Sequence, residues 1–203
     1  GNLNEHLTTT TTIELNHTLS SFKILPPTGN TEKSLWGYIT EQAVAIREIE
    51  KPNKIHVYSM SVTAKDTDGD ELNGTPSSWS SAIDNILFNN DAKKLFCISV
   101  GNTDLDDSSF EYKKTNLDSR IQNPAQSWNA LSIGAFTQKD TITDEDATYV
   151  NYDVIMAKKD EISPFTTTSH LWDKQWCIKP DVVFEGGNLL LKSHLQIQIL
   201  PSN

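Results

Sequence analysis

Between residues 19 and 187, short apolar runs alternate with stretches of helical periodicity, and this alternation restricts the fold more than any other feature. Leu19 to Leu25, Ile55 to Val62, Lys94 to Val100, Ala130 to Phe136 and Asp181 to Phe184 each read as a strand. Pro26-Pro27-Thr28-Gly29-Asn30 stops the first of them. Leu35, Ile39, Ala43, Ile46 and Ile49 then recur at helical spacing, with Glu41, Arg47, Glu48 and Glu50 largely off the stripe. This pattern predicts an amphipathic helix of about 15 residues, ended by Pro52. A second helix is expected to start near Thr75-Pro76, where Pro fits the first turn. Its apolar face is Trp79, Ala82, Ile83, Ile86 and Leu87. Strand, helix, strand, helix, strand is the pattern of right-handed βαβ units. The expected class is α/β with a mostly parallel central sheet, whose strands are buried on both faces. Thr103 to Gln122 reads as a long acidic loop, Thr137 to Lys159 carries no clear period, and Asp181 to Phe184 reads as the final strand.

A chain of 203 residues fits one domain with a real core. The net charge is −10 and no basic run occurs, which argues against nucleic acid and anionic membranes as partners. No apolar run approaches the roughly 20 residues that a transmembrane helix needs. Thr8 to Thr12 is a low-complexity run, and residues 1–18 are expected to be a flexible N-terminal segment. The opening residues Gly1-Asn2-Leu3-Asn4-Glu5 have no signal-peptide architecture. Two cysteines, Cys97 and Cys177, are too few for a disulfide framework and suit a cytoplasmic setting. Cys97, inside a strand, reads as a buried inert thiol.

No metal or cofactor is expected. The five histidines are scattered without metal-ligand spacing. Asp66, Asp68 and Asp70 have the 1, 3, 5 spacing of a calcium loop. The Gly falls at position 4, however, and Ser77 stands at position 12, where a bidentate Glu is needed. A solvated turn is the expected reading, with calcium the alternative.

Chemistry is concentrated in Cys97-Ile98-Ser99-Val100-Gly101-Asn102. This run reads as a buried strand ending abruptly in Gly-Asn. The Gly allows close backbone approach to a ligand, and the Asn places a neutral amide donor at the carboxyl end of the strand. Ligands of open α/β sheets bind at that end, and acyl transfer needs a donor aimed at the oxygen that becomes charged.

The order of motifs resembles the subtilisin-like serine peptidases. Phe22-Lys23-Ile24-Leu25 with its Gly-containing loop resembles the central strand and substrate-edge loop of that family. Tyr58-Ser59-Met60-Ser61-Val62-Thr63 is similar to its Asn-Met-Ser-Leu-Gly strand, and Ser81-Ala82-Ile83-Asp84 to the next helix. Ser99-Val100-Gly101-Asn102 resembles Ala-Ala-Gly-Asn, whose Asn is the oxyanion donor. Asn123-Pro124-Ala125 with Ala130 to Ala135 resembles the Tyr-Pro-Ala and Val-Gly-Ala pair. Ser163-Pro164-Phe165-Thr166-Thr167 resembles Ala-Ser-Phe-Ser-Ser, and Lys179-Pro180-Asp181-Val182-Val183 with Gly186 resembles Lys-Pro-Asp-Val and the glycine after it.

The resemblance implies a three-layer subtilisin-like fold, incomplete at both ends, and a polypeptide substrate. It implies that Asn102 is the oxyanion donor and that Ser61, Val62, Thr63, Ser99, Val100 and Gly101 line the first specificity pocket. Thr63, standing where the family has Gly, would narrow one wall of that pocket. The triad motifs are missing. No Asp-Thr/Ser-Gly precedes residue 19, none of the histidines is followed by Gly-Thr, and Gly-Thr-Ser-x-Ala does not occur. Asp66-Thr67-Asp68-Gly69 looks faintly like the Asp motif but falls out of order, after the second strand.

The expectation is an internal segment of a serine endopeptidase, inactive alone. Residues 19–190 would be the central part of the domain, and 191–203 a segment preceding the nucleophile region. Incomplete packing of the sheet is expected to leave apolar surface through which the segment self-associates. Two alternatives stand beside this one. They are a catalytically dead relative that binds peptides or partners, and an unrelated doubly wound domain that binds a small ligand.

Overall fold

The computed structural model describes residues 16–65, 73–88, 94–104, 111–141, 154–192 and 196–200. The chain divides into two compact units, residues 1–31 and 32–203. In the first unit, residues 16–31 form neither helix nor strand. The strand expected over Leu19 to Leu25 is therefore absent, and Leu19 is 93% exposed. Alternating polarity prepares a segment for a sheet, but a strand exists only when a neighbour accepts its backbone groups.

The second unit opens with a 3₁₀ turn at Lys33–Leu35, followed by helix α1 over Trp36–Glu50. Strand β1 covers His56–Met60, helix α2 Ser78–Phe88, strand β2 Lys94–Ser99 and strand β3 Leu131–Phe136. A short helix, α3, spans Tyr112–Asp118 inside the segment expected to be a loop. Its two fully covered residues, Tyr112 and Asn116, lie four apart, one helical turn, so the burying stripe is too short to stand out among the surrounding polar residues. Strand β4 is Val154–Ile155, β5 is Val182–Glu185, β6 is Asn188–Lys192 and β7 is Gln196–Leu200.

Strands β1, β2, β3 and β5 form one parallel sheet in that order, as the βαβ pattern requires. Strands β4, β6 and β7 form a separate antiparallel sheet. Asp181 to Phe184 is thus not the last strand of the chain. The polar-apolar alternation of Gln196-Ile197-Gln198-Ile199-Leu200 is a period-two signal that belongs to this second sheet. Asn188 anchors it. Its Nδ2 donates to Ala157 O at 2.7 Å and to Lys139 O at 2.6 Å, and its Oδ1 accepts from Ala157 N at 3.1 Å. A fully buried amide is tolerated here because its donors and acceptor are used.

Helices α1 and α2 pack against each other where Gly37 brings the backbone of α1 close to Ala82. The Trp36 and Trp79 rings lie 5.2 Å apart, and Trp79 Nε1 donates to Thr40 Oγ1 at 2.8 Å. Lys94 pins both helices over one face of the sheet. Its Nζ donates to Ile86 O and pairs with Glu48 at 2.7 Å. On that face Tyr58 stacks on Phe96 at 4.8 Å, and Met60 and Ile98 are buried. On the other face Val57, Leu95 and Phe184 are exposed. They share that face by register: Val57 stands beside Leu95, and Phe184 beside Ala135, two residues beyond Ile133. β1 and β2 therefore show one-sided burial rather than the continuous burial expected from their apolar sequences, because α1 and α2 cover only one face.

The junction of β3 and β5 is held by an ion pair with one deeply buried partner. Lys179 Nζ donates to Asp181 Oδ2 at 2.7 Å and to Ala130 O at 3.2 Å. The same carboxylate oxygen accepts from Ser132 N and Ser132 Oγ, each at 2.7 Å. Burial pushes the Asp181 carboxyl up, but these hydrogen bonds and the Lys179 charge outweigh it and hold the group below its ordinary range. A depressed carboxylate stabilises the fold fully above its unfolded pKa of about 3.9, and the contribution is lost as pH falls through the lower folded value.

Lys179 is 3% exposed, whereas Asp181 reaches solvent. The two truncations should therefore differ. Asp181→Ala strands a buried ammonium and is expected to cost about 3 kcal/mol, against about 1 kcal/mol for Lys179→Met. Urea denaturation at pH 7 reads both. Equal losses would contradict the asymmetry, and the difference should shrink at acid pH as Asp181 protonates.

Candidate functional site

β1 and β2 run side by side as far as Met60 and Ile98 and then part. β2 stays with β3: Ser99 pairs with Ile133, and Val100 N donates to Ile133 O at 3.1 Å. The gap between the parting ends is filled by Gln122 and Asn123. Gln122 N donates to Val100 O at 3.0 Å, Asn123 N to Ala64 O at 2.9 Å, and Ala64 N to Asn123 O at 2.9 Å. One short segment thus satisfies backbone groups of both strand ends.

The chain turns sharply at Gly101, whose φ is 93°. L side chains rarely adopt that conformation. A Cβ on Gly101 would also overlap the side-chain amide of Gln122. The Gln122 side chain is itself fixed at both ends. Its Nε2 donates to Asn102 O at 2.8 Å, and its Oε1 accepts from Thr63 Oγ1 at 2.8 Å.

A second segment holds the turn from the opposite side. Thr103 N donates to Phe165 O at 2.9 Å, Thr103 Oγ1 to Pro164 O at 2.7 Å and Thr167 Oγ1 to Val100 O at 2.6 Å. Asn102 forms an antiparallel bridge with Thr166. Residues 163–166 are in turn gathered by the buried Asn116 of α3. Its Nδ2 donates to Ser163 O at 3.1 Å and to Thr166 O at 2.6 Å. At the rim, Lys65 pairs with Asp104, a contact between exposed side chains that contributes little.

Asn102 is therefore fixed by its backbone while its residue surface is exposed. Among the described residues its side-chain amide has no hydrogen-bond partner. Such an amide is a neutral, pH-independent donor at the carboxyl end of a parallel sheet.

The other residues expected at the site fall into two groups. Ser61 is exposed, Val62 and Thr63 are half-buried, and among the described residues their N–H and C=O groups have no backbone partner. They form an open edge suited to pairing with an extended chain. Ser99 and Gly101 flank this edge, but Val100 is 2% exposed and both its backbone groups are committed, so its side chain belongs to the core. Asp66, Asp68 and Asp70 lie outside the described residues. Among the described residues no cluster of three or more His, Cys, Asp or Glu side chains is placed to hold a metal ion.

Gln122, Asn116 and Thr167 were not among the residues expected at the site, yet they fix its geometry. Gln122 directly precedes Asn123-Pro124-Ala125, a run with a family resemblance, but nothing in the local sequence marks its own role.

The parallel sheet, the βαβ connections and the Gly-Asn turn at the strand ends define an α/β protein whose Gly101-Asn102 turn lies at the carboxyl edge of its sheet, the edge where ligands of open α/β sheets bind. The model of the Subtilase family matches residues 3–202, and the chain belongs to that family of serine peptidases. This membership removes the reading as an unrelated doubly wound domain. No curated protein matches the chain significantly.

Gly101→Ala is expected to destabilise the protein by roughly 1–3 kcal/mol, from backbone strain together with overlap on Gln122. Adding Gln122→Ala should recover only the overlap part. Full recovery in the double variant, read by denaturant unfolding as a mutant cycle, would show that the positive φ carries no cost.

Proposed function

We propose that this chain supplies the peptide cleft and the oxyanion donor of a subtilisin-like serine endopeptidase. In that chemistry a serine activated by histidine and aspartate attacks the scissile carbonyl and forms an acyl-enzyme. The carbonyl oxygen becomes an oxyanion as the bond forms, and a preorganised donor stabilises it without having to reorganise. Asn102 Nδ2 takes that role. The open edge at Ser61, Val62 and Thr63 pairs with the backbone of an extended substrate. The observation that supports this most is the two-sided clamp on residues 100–103, which fixes Asn102 beside the open edge.

The 203 residues contain neither the His-Gly-Thr nor the Gly-Thr-Ser-x-Ala motif, so this chain alone has no nucleophile and base of the family type. It binds and orients a peptide without cutting it. A binding relative that never cleaves would use the same cleft, and the missing motifs favour that behaviour for the chain acting alone.

Two measurements test the proposal. A fluorophosphonate probe should not label the purified chain, and an unstructured protein should not be degraded; specific labelling would overturn the inactive reading. A fluorescein-labelled extended peptide should bind by anisotropy, and N-methylation of an amide that pairs with the Ser61–Thr63 edge should weaken it roughly three- to tenfold. Affinity that is indifferent to N-methylation at every position would contradict recognition through the backbone. Asn102→Ala should leave ground-state affinity unchanged within about twofold, because its donor acts on the oxyanion and not on the bound peptide.

A further inference from the structure

Gln122 is placed to decide which side chain the cleft admits. We propose that it is a fixed plug between the two walls, and that it restricts the pocket there to Gly, Ala and Ser side chains. This rests on the reading of the strand ends as a peptide cleft.

The two walls are the segment after β1, with Thr63, and the turn after β2, with Gly101 and Asn102. Gln122 lies between them, 8% exposed, with its side-chain amide packed on the face of Gly101 that lacks a Cβ. Space of the kind a glycine opens beside a ligand is occupied here by the protein itself. The plug is also tied. Thr63 Oγ1 donates to Gln122 Oε1 at 2.8 Å, and Gln122 Nε2 donates to Asn102 O at 2.8 Å. Its backbone is anchored by the bond from Gln122 N to Val100 O at 3.0 Å.

A bulky substrate side chain entering between the walls must swing Gln122 out. That breaks both side-chain hydrogen bonds and leaves Thr63 and Asn102 O to find new partners. The loss of even one such bond weakens binding by up to roughly tenfold. A small side chain fits above the plug and leaves both bonds intact. The discrimination thus comes from a penalty on large residues rather than from a contact that favours small ones. Thr63 is part of the device, because its hydroxyl holds the amide in the closed position.

The test compares extended peptides that differ only at the pocket residue, Ala or Phe, by fluorescence anisotropy with the intact chain. The Ala peptide should bind at least about tenfold more tightly than the Phe peptide. In Gln122→Ala the gap should fall below about twofold, mainly through tighter binding of Phe. Thr63→Val keeps the volume of the wall but removes the hydroxyl, so it should narrow the gap in the same direction and supports the proposal even if Gln122→Ala folds poorly.

Equal binding of the two peptides by the unmodified chain, or a gap unchanged in both variants, overturns the plug while leaving the peptide cleft standing. Failure of the unmodified chain and of both folded variants to bind any peptide overturns the cleft reading and the plug with it.

Discussion

Where two parallel strands part, each loses the partner for its backbone groups, and buried groups without partners are costly. The arrangement of this site follows from how that loss is made good. β1 and β2 separate after Met60 and Ile98, and Gln122 and Asn123 enter between them with a backbone bond to Val100 and a reciprocal pair with Ala64. From the other side Thr103 and Thr167 tie the same turn to the segment that Asn116 gathers. The outcome is a rigid Gly101-Asn102 turn whose position is set by backbone bonds on both flanks. Functional geometry and backbone satisfaction are here one problem.

The site differs in kind from the ionic junction on the sheet. Lys179, Asp181 and Ser132 join β3 to β5 through a charge that must be desolvated and then compensated, so their contribution depends on pH. The groups that fix Asn102 are amides, hydroxyls and backbone, none of which titrates near neutral pH. A donor built this way holds its position across the range in which a histidine base changes charge. Titration is thus kept out of the turn that carries Asn102.

Much of this was legible in the sequence because it depends on local periodicity. The helix over Trp36–Glu50 and the apolar runs at His56–Met60, Lys94–Ser99 and Leu131–Phe136 lie where the pattern put them. But α1 buries Gly37, Thr40 and Val44 and leaves Leu35, Ile46 and Ile49 of the expected stripe exposed, because its packing against α2 is set by the close approach at Gly37 and not by its largest apolar side chains. The order of short motifs points to the subtilase family, to which the chain belongs. What was missed depends on pairing across the chain. Leu19 to Leu25 has the alternation of a strand but no ladder in its own unit. The antiparallel sheet requires Asn188–Lys192 to meet Val154–Ile155, more than thirty residues earlier, where no period was visible. Gln122 carries no local signal of its role, since its importance comes from Thr63, 59 residues away, and from the missing Cβ at Gly101.

Whether the carboxyl ends of β1 and β2 form a peptide cleft can be read from a ¹⁵N-labelled sample titrated with an extended, Ala-bearing peptide. Shifts in the backbone amides of Ser61, Val62 and Thr63 and in the side-chain amide of Asn102, saturating together, are the expected result. Shifts confined to the exposed sheet face around Val57 and Leu95, with Asn102 and the Ser61–Thr63 edge unmoved, would contradict it.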